Sequence, residues 1–158
     1  MITIDAKEVN FYYGDFHALK NITMEMERNT VTAFIGPSGC GKSTLLNMIA
    51  GVLSPTEGRV CVDGECISEW PQRRRDAFRI RQVGYIYQDF KLINGMSVQD
   101  NIDMLRMEGI NTDGKDALLD KLGILSLKKR RVRSLSGGER QRVAIVRALI
   151  KRPSIILA

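Results

Sequence analysis

The sequence is poor in the residues that build metal sites and disulfide frameworks. Its 158 residues include one histidine and three cysteines, and these fall into no metal-ligand spacing. Cys40 lies in a glycine-rich segment, whereas Cys61 and Cys66 flank an Asp-Gly turn. An odd cysteine count without such spacing predicts reduced thiols in a cytosolic protein. Neither a structural zinc site nor a disulfide-rich secreted module is therefore expected.

Long hydrophobic runs and leader signals are also missing. No apolar run approaches the roughly 18 to 20 residues that span a bilayer. The stretch from Met1 to Asp5 alternates like a strand, without the basic and then apolar segments of a signal peptide. With 44% hydrophobic residues, the chain can still bury a core. These features predict a cytoplasmic domain.

Positive charge exceeds negative charge, with a formal net charge of +6 at pH 7. Basic residues cluster at 73–75 and at 128–133. Such runs are most often solvated faces, and docking to a membrane protein or to anionic headgroups is a second interpretation. Nucleic-acid binding is the least favoured, because no aromatic residues interleave with the clusters. We expect no nucleic-acid partner.

The segment GPSGCGKST, Gly36 to Thr44, fits the phosphate-loop pattern. A short apolar run, Val31 to Ile35, precedes it and predicts a central strand buried on both faces. Ser43 to Ala50 predicts a helix closed by Gly51. Strand, loop and helix are the context in which backbone N–H groups wrap a nucleotide phosphate.

This loop supplies most of the predicted ATP contacts. Lys42 is expected to reach the β- and γ-phosphates as a point charge, and the Ser43 hydroxyl to coordinate Mg²⁺. The predicted nucleotide-binding residues of the loop are Gly36, Ser38, Gly39, Cys40, Gly41, Lys42, Ser43 and Thr44.

A second motif, LSGGERQ, spans Leu135 to Gln141. Ser136 and Glu139 have the spacing of a capping box, which predicts a helix through Lys151 with an anion-binding N-terminus. The motif resembles the signature of ATP-binding cassette (ABC) ATPases. That resemblance implies that Ser136, Gly137, Gly138 and Glu139 contact, in trans, ATP held by the phosphate loop of a second ATPase subunit.

Two further positions match the same family. Tyr13 matches the aromatic residue that stacks on adenine; Tyr12 is the alternative, since neighbouring residues of a strand face opposite sides. Gln88 follows the apolar strand Val83 to Tyr87 and resembles the glutamine that links Mg²⁺ and the attacking water to the membrane partner. Lys42 and Gln88 are thus the predicted catalytic residues, and Ser43 and Gln88 the predicted Mg²⁺ ligands.

Some features of the ABC ATPase pattern have no counterpart in this sequence. Pro153 to Ala158 predicts a helix stop and then a buried strand, which in the family ends in a Mg²⁺-holding aspartate followed by a glutamate base. Neither is present, and His17, predicted to be a surface or strand-edge residue, lies too early to be the family's later switch histidine. We therefore expect a truncated and catalytically inactive ABC subunit. Both a fragment and an incomplete gene product fit this pattern.

The predicted fold class is α/β: a phosphate-loop NTPase (RecA-like) core with an antiparallel β part, an inserted helical subdomain and an incomplete C-terminus. The strict alternation of Asn21 to Glu27 predicts a strand with one wet face. Ser97 and Asp100 predict a capped helix to about Glu108, and Lys115 to Leu122 a second helix ended by Gly123.

The predicted organisation is a single ABC ATPase domain. Residues 1–90 form the nucleotide-binding core with the antiparallel β part, and residues 91–135 form the helical subdomain. Residues 136–158 form the signature helix and the return strand.

Subfamily features divide along the chain. Asn10 to Leu46 looks closest to the ATPase subunit of bacterial phosphate importers. From Gly51 onward the sequence is more similar to ATPases of lipoprotein-releasing, macrolide-export and cell-division transporters. The second group is slightly favoured because the region around Gln88 is the one that contacts the membrane partner in the family.

Three classes of function remain open from the sequence. The first is the energy-coupling subunit of a membrane transporter, peripheral on the inner face of the plasma membrane. It would work with ATP, Mg²⁺, a second ATPase subunit and transmembrane permease subunits. The second is a soluble ABC ATPase of DNA maintenance or translation, although the interval from Gln88 to Ser136 lacks heptads and CxxC pairs. The third is a non-catalytic nucleotide-binding protein.

Overall fold

The computed structural model describes residues 2–158, which form two compact units. The first unit ends at Arg79 and the second runs from Ile80 to Ala158. The predicted boundaries near residues 90 and 135 stay a prediction. In the part of the chain that the structure describes, no helix is long and apolar enough to cross a membrane.

An antiparallel sheet dominates the first unit. Its strands are β1 (Ile2–Tyr13), β2 (Phe16–Glu27), β3 (Glu57–Val62) and β4 (Glu65–Cys66), in the spatial order β2-β1-β3-β4. The strand predicted at the start of the chain is confirmed from Ile2 onward and its alternation from Thr3 onward, while Met1 lies outside the described residues. In β2, Met26 is buried while its neighbours Glu25 and Glu27 are exposed. This alternation is typical of an antiparallel strand with one face buried and one face exposed to solvent.

One helix belongs to this unit, and a second begins in it and ends three residues beyond Arg79. Helix α1 (Lys42–Ile49) follows the phosphate loop, and Gly51 just beyond its end has φ of 70°, as predicted for a glycine-terminated helix. A short 3₁₀ turn, Ile67–Glu69, leads to α2 (Gln72–Gln82). Trp70 packs edge-on against Phe78, with ring centroids 5.7 Å apart.

The strand predicted at Val31 to Ile35 is wrong. These residues join neither sheet, and Val31 and Ile35 are 100% and 95% exposed. A continuous apolar run predicts a central strand only if other strands pair with both of its edges. None of the described strands pairs with this run, so its apolar side chains have no sheet to pack in.

The prediction of reduced thiols is wrong for one pair of cysteines. Cys61 and Cys66 are opposite one another in the β3–β4 ladder and form a disulfide. The hairpin register places the two side chains on the same face of the sheet, a relationship that residue counting does not reveal. Cys40 remains a free, exposed thiol.

The second unit joins a small parallel sheet to a helical cluster. Strand β5 (Val83–Tyr85) pairs with β6 (Ile155–Leu157). The helices are α3 (Val98–Asp103), continued by a 3₁₀ turn to Glu108, α4 (Lys115–Lys121) and α5 (Gly137–Leu149). They confirm the predicted elements, although β5 ends two residues before Tyr87 and α5 ends two before Lys151.

One apolar cluster holds these three helices together. Its buried members are Val98, Ile102, Leu119, Ile124, Val132, Leu135, Val143, Val146 and Ile150. Asn101 is buried beside it, and its side chain hydrogen-bonds the backbone of Ile93 and the carbonyl of Ser97. Because all of these partners are main-chain atoms, the amide fixes the entry into α3.

Candidate functional site: the phosphate loop and the signature helix

The N-terminus of α1 is open to an anion. Gly41, its N-cap residue, has φ of 92° and no side chain with which to cap the helix, and the first turn carries no acidic residue. The first backbone N–H groups of a helix have no partner within it and carry partial positive charge. A phosphate group would supply the missing acceptors.

A side chain at either of two loop glycines would meet a close neighbour, although the neighbour of Gly36 is only the exposed side chain of Cys40. A Cβ on Gly36 would lie 2.8 Å from Sγ of Cys40, and a Cβ on Gly41 would lie 2.5 Å from Cδ2 of Leu19 and 3.0 Å from the carbonyl oxygen of Ala18. Only at Gly41 do these neighbours include a main-chain atom; we call the loop from Gly36 to Gly41 the cradle. The residues of this loop are suited to bind a phosphate group.

Lys42 lies over this cradle. Its Nζ donates to the carbonyl oxygens of Gly36 and Pro37 at 2.7 and 2.9 Å and lies 3.5 Å from Sγ of Cys40. The ammonium group is therefore held against the main chain of the loop. A bound phosphate could exchange these carbonyl contacts for charge-assisted ones. The Ser43 side chain is exposed, as a ligand of a nucleotide-bound cation would be.

The two candidate adenine-stacking tyrosines have different surroundings. The hydroxyl of Tyr13 lies 3.3 Å from Oγ1 of Thr44, and its ring, 52% exposed, meets Phe11 edge-on. Tyr12 instead stacks on His17, whose Nε2 lies 2.9 Å from Oδ1 of Asn10. The Tyr13 side chain is thus tied to the helix that follows the phosphate loop. The choice of Tyr13 over Tyr12 as the adenine-stacking residue stays a prediction.

The signature motif forms the predicted capping box at the start of α5. The Ser136 hydroxyl accepts from the Glu139 N–H at 3.3 Å, and Oε2 of Glu139 accepts from the Ser136 N–H at 2.7 Å. This hydrogen bond from the Ser136 backbone, with Arg130 and Arg142 nearby, lowers the pKa of Glu139. Gly137 and Gly138 are exposed, so the helix N-terminus faces solvent.

Gln88 lies just beyond β5, in a tight turn formed by residues 87–91, which we call the Gln88 turn. The Phe90 N–H donates to the carbonyl of Tyr87 at 2.9 Å, and the Lys91 N–H to that of Asp89 at 2.7 Å. The Gln88 side chain is exposed. Gln88 belongs to the second unit and Ser43 to the first, so their shared Mg²⁺ role stays a prediction.

Carboxylate or histidine ligands for a metal are not gathered anywhere in the described residues. The candidate ligands remain the Ser43 hydroxyl and the Gln88 amide. Oxygen atoms of this kind suit Mg²⁺, which is usually bound by few protein ligands together with phosphates and water.

The first basic cluster is partly occupied by contacts within its own unit. Arg74 stacks over Trp70, with its guanidinium 3.9 Å from the ring centroid, and pairs with Glu65. Arg75 donates to Ser54 and Gln72. The three interpretations of residues 73–75, a solvated face, docking and nucleic-acid binding, stay predictions.

Sequence reasoning missed Arg147. Its guanidinium donates to the carbonyl oxygens of Lys91 and Phe90 at 2.6 and 2.8 Å. One signal could have revealed it: Arg147 follows the buried Val143 by one helical turn, so it is a cation on the apolar face of α5.

Residues 19–158 match the family model described as ABC transporter. The chain belongs to the ABC transporter family. The sequence resemblance stated above is therefore confirmed at the level of the family.

Two curated relatives show the level of sequence similarity. Over 89% of the chain, it is 39% identical to the ABC transporter ATP-binding protein YtrE of Bacillus subtilis, of which it covers 63%. Over 99% of the chain, it is 38% identical to the sulfate/thiosulfate import ATP-binding protein CysA of Acinetobacter baylyi, of which it covers 45%. The chain thus spans about half to two thirds of these relatives.

Solved ABC structures share the fold. The dimeric post-hydrolysis state of the ATP-binding cassette MJ0796, bound to ADP and Pi, has a TM-score of 0.85 and 29% identity, covering 97% of this chain and 72% of that one. The protein cbiO1 of Clostridium perfringens, part of the ABC transporter complex cbiONQ, has a TM-score of 0.78 and 30% identity. The alignment covers 98% of this chain and 64% of cbiO1. The predicted α/β fold class, a phosphate-loop NTPase core with added β and helical parts, is confirmed.

Proposed function

We propose that this chain is the MgATP-binding, energy-coupling part of an ABC membrane transporter. The observation that carries the proposal is that one chain contains two separate anion sites. One is the open cradle under Lys42, and the other is the solvent-facing N-terminus of α5 behind Ser136. Relatives named as import ATP-binding proteins support the transporter over a DNA-maintenance or translation ATPase.

The two sites are proposed to act on one nucleotide held between two subunits. Lys42 and the loop N–H groups would hold the phosphates, Tyr13 would stack on the base, and Ser136 with Gly138 would close the site from the partner subunit. MJ0796, a relative in structure, is described as dimeric. Permease subunits would complete the assembly at the inner face of the membrane.

Hydrolysis needs groups that place water and bear charge around a loose γ-phosphoryl transition state. Mg²⁺, when bound, would neutralise phosphate charge; Ser43 and Gln88 are the residues proposed to hold it. In the family pattern, an aspartate and a glutamate follow the strand equivalent to β6, and residues 1–158 carry neither there. We therefore propose nucleotide binding for these residues, with turnover only in a protein that supplies both carboxylates.

Sequence similarity and the names of relatives bear on the transport direction. The Gln88 turn and the helices that follow it resemble lipoprotein-releasing and macrolide-export ATPases, and this is the region that meets the permease in the family. YtrE and YxdL of Bacillus subtilis, named only as ABC transporter ATP-binding proteins, match at 39% and 36% identity. Relatives whose names give a direction, CysA and PotA, are import proteins, so the names favour an importer whereas the sequence after Gly51 favours an exporter.

Titration with fluorescent ATP tests the proposal. Lys42→Ala should weaken binding about tenfold or more, since a charge-assisted contact is worth about 1.5 to 3 kcal/mol. Lys121→Ala, at an exposed lysine that ends α4, is the matched control and should bind like the wild type. Equal affinities for both variants would refute the assignment.

Sedimentation with and without MgATP tests the shared site. ATP-dependent dimers should be lost in Ser136→Arg, because a bulky cation at the N-cap would block the partner's nucleotide. Dimers that survive this substitution would contradict a role for the signature motif in trans.

A further inference from the structure

We propose that Arg147 is a positioning residue that holds the Gln88 turn in its observed shape and so ties Gln88 to the signature helix. The mechanistic half of this inference rests on the proposed function, in which Gln88 takes part in binding the Mg²⁺ of the nucleotide. The structural half rests only on contacts within the second unit.

The Gln88 turn is a strained piece of backbone. Phe90 and Lys91 both have positive φ, of 60° and 47°, although neither is glycine. The Lys91 N–H donates to Asp89 two residues back, so Phe90 is the centre of a γ-turn with positive φ, a rare and strained arrangement. Such backbone persists only where surrounding groups over-determine it.

Arg147 supplies the outside constraint. The carbonyls of Phe90 and Lys91 are those of the two strained residues, and both accept from the same guanidinium, at 2.8 and 2.6 Å. A planar fork that spans two successive carbonyls fixes their relative direction, which a single donor would not do. The Asp89–Lys91 ion pair, at 2.6 Å, is exposed and stabilises the turn more weakly.

Helix α5, which carries Arg147, also begins with the signature motif. Ser136 caps α5, and Arg147 projects from it about three turns later. Val143 and Val146 anchor α5 in the apolar cluster, and this packing restricts movement of the Arg147 guanidinium. A shift of α5 would therefore carry the Phe90 and Lys91 carbonyls with it and redirect Gln88.

Hydrogen exchange of the chain tests the structural half. In Arg147→Met, which keeps an apolar stem but no donors, the amides of Phe90 and Lys91 should exchange about tenfold faster or more. Arg147→Lys should restore part of the protection, because an ammonium group can donate to the same carbonyls. Arg152→Met, at an exposed arginine beyond α5, should change nothing.

Two results would overturn the proposal. One is unchanged exchange of the Gln88 turn in Arg147→Met. The other is an equal rise in exchange across α3, α4 and α5, which would make Arg147 a general support of the fold. Neither readout depends on nucleotide binding, so failure of the proposed function would leave this test intact.

A double-mutant cycle tests the link to Gln88. The quantity measured is the gain in fluorescent-ATP affinity when Mg²⁺ replaces EDTA. Arg147→Met and Gln88→Ala should each reduce this gain, and the double variant should lose no more than Gln88→Ala alone. Losses that multiply would show that Arg147 does not act through Gln88.

Discussion

The hydroxyl of Tyr13, at the end of β1, lies 3.3 Å from Oγ1 of Thr44, a buried residue in the first turn of α1. The contact joins the antiparallel sheet to the helix that follows the phosphate loop. It orients one of the two neighbouring tyrosines, while the other is occupied with His17.

Removal of the Tyr13 ring should weaken nucleotide binding more than removal of the Tyr12 ring. Stacking of a base on an aromatic side chain is worth about 1 to 3 kcal/mol, so Tyr13→Ala should lose about 5- to 150-fold in ATP affinity. Tyr13→Phe, which keeps the ring but not the contact with Thr44, should lose much less. Fluorescent-ATP titration measures both, and a larger loss in Tyr12→Ala would identify Tyr12 as the stacking residue.

Gly41→Ala should destabilise the first unit more than Gly39→Ala. Both residues have positive φ, of 92° and 83°, so both substitutions should incur a backbone cost of about 1 to 2 kcal/mol. Only at Gly41 would the new Cβ also collide with Leu19 and the Ala18 carbonyl, which should add about 1 to 3 kcal/mol. Urea unfolding gives the two free energies, and equal values would show that the loop moves away from Leu19.

The Cys61–Cys66 disulfide should be detectable by counting thiols. Alkylation in denaturant without reductant should label Cys40 alone, and prior reduction should expose all three cysteines. Because the bridge closes a short loop, reduction should lower the free energy of unfolding by about 2 kcal/mol. Cys40→Ser serves as the control, since it should abolish labelling before reduction. Full labelling without reductant would contradict the bridge.

The Glu139 cap should make stability depend on pH. Hydrogen bonding to Ser136 lowers the pKa of Glu139 in the folded chain, so its charge stabilises the fold above the ordinary glutamate pKa of about 4.3. This contribution should fall as pH drops below that value, and it should vanish below the lowered pKa. Glu139→Gln keeps a capping side chain without the charge. The difference in free energy of unfolding between wild type and variant should be constant near neutral pH and shrink in acid; a difference independent of pH would contradict the prediction.

Local chemistry explains what the sequence predicts well. The capping boxes at Ser97 and Ser136 each depend on residues three apart, and both form with the expected hydrogen bonds. The glycine stops at Gly51 and Gly123 likewise depend only on a local positive φ. The positions of α1, α3, α4 and α5 were therefore predictable to within a few residues, whereas α2 was not predicted.

Features that depend on distant partners were not predictable in this way. The disulfide requires the β3–β4 register, and the role of Arg147 requires the fold to bring residues 90 and 91 to α5. The predicted strand at Val31 to Ile35 failed for the same reason, because an apolar run does not say which strands will pair with it.

The exposed run before the phosphate loop has a consequence for handling the protein. Residues 30–35, TVTAFI, contain no charge, glycine or proline, and Val31 and Ile35 are almost completely exposed. Short uncharged segments with high β propensity are the ones that stack with copies of themselves into cross-β ladders. Concentrated solutions should therefore gel or precipitate from this segment, and the lysine gatekeeper that would prevent it belongs at the fully exposed Val31.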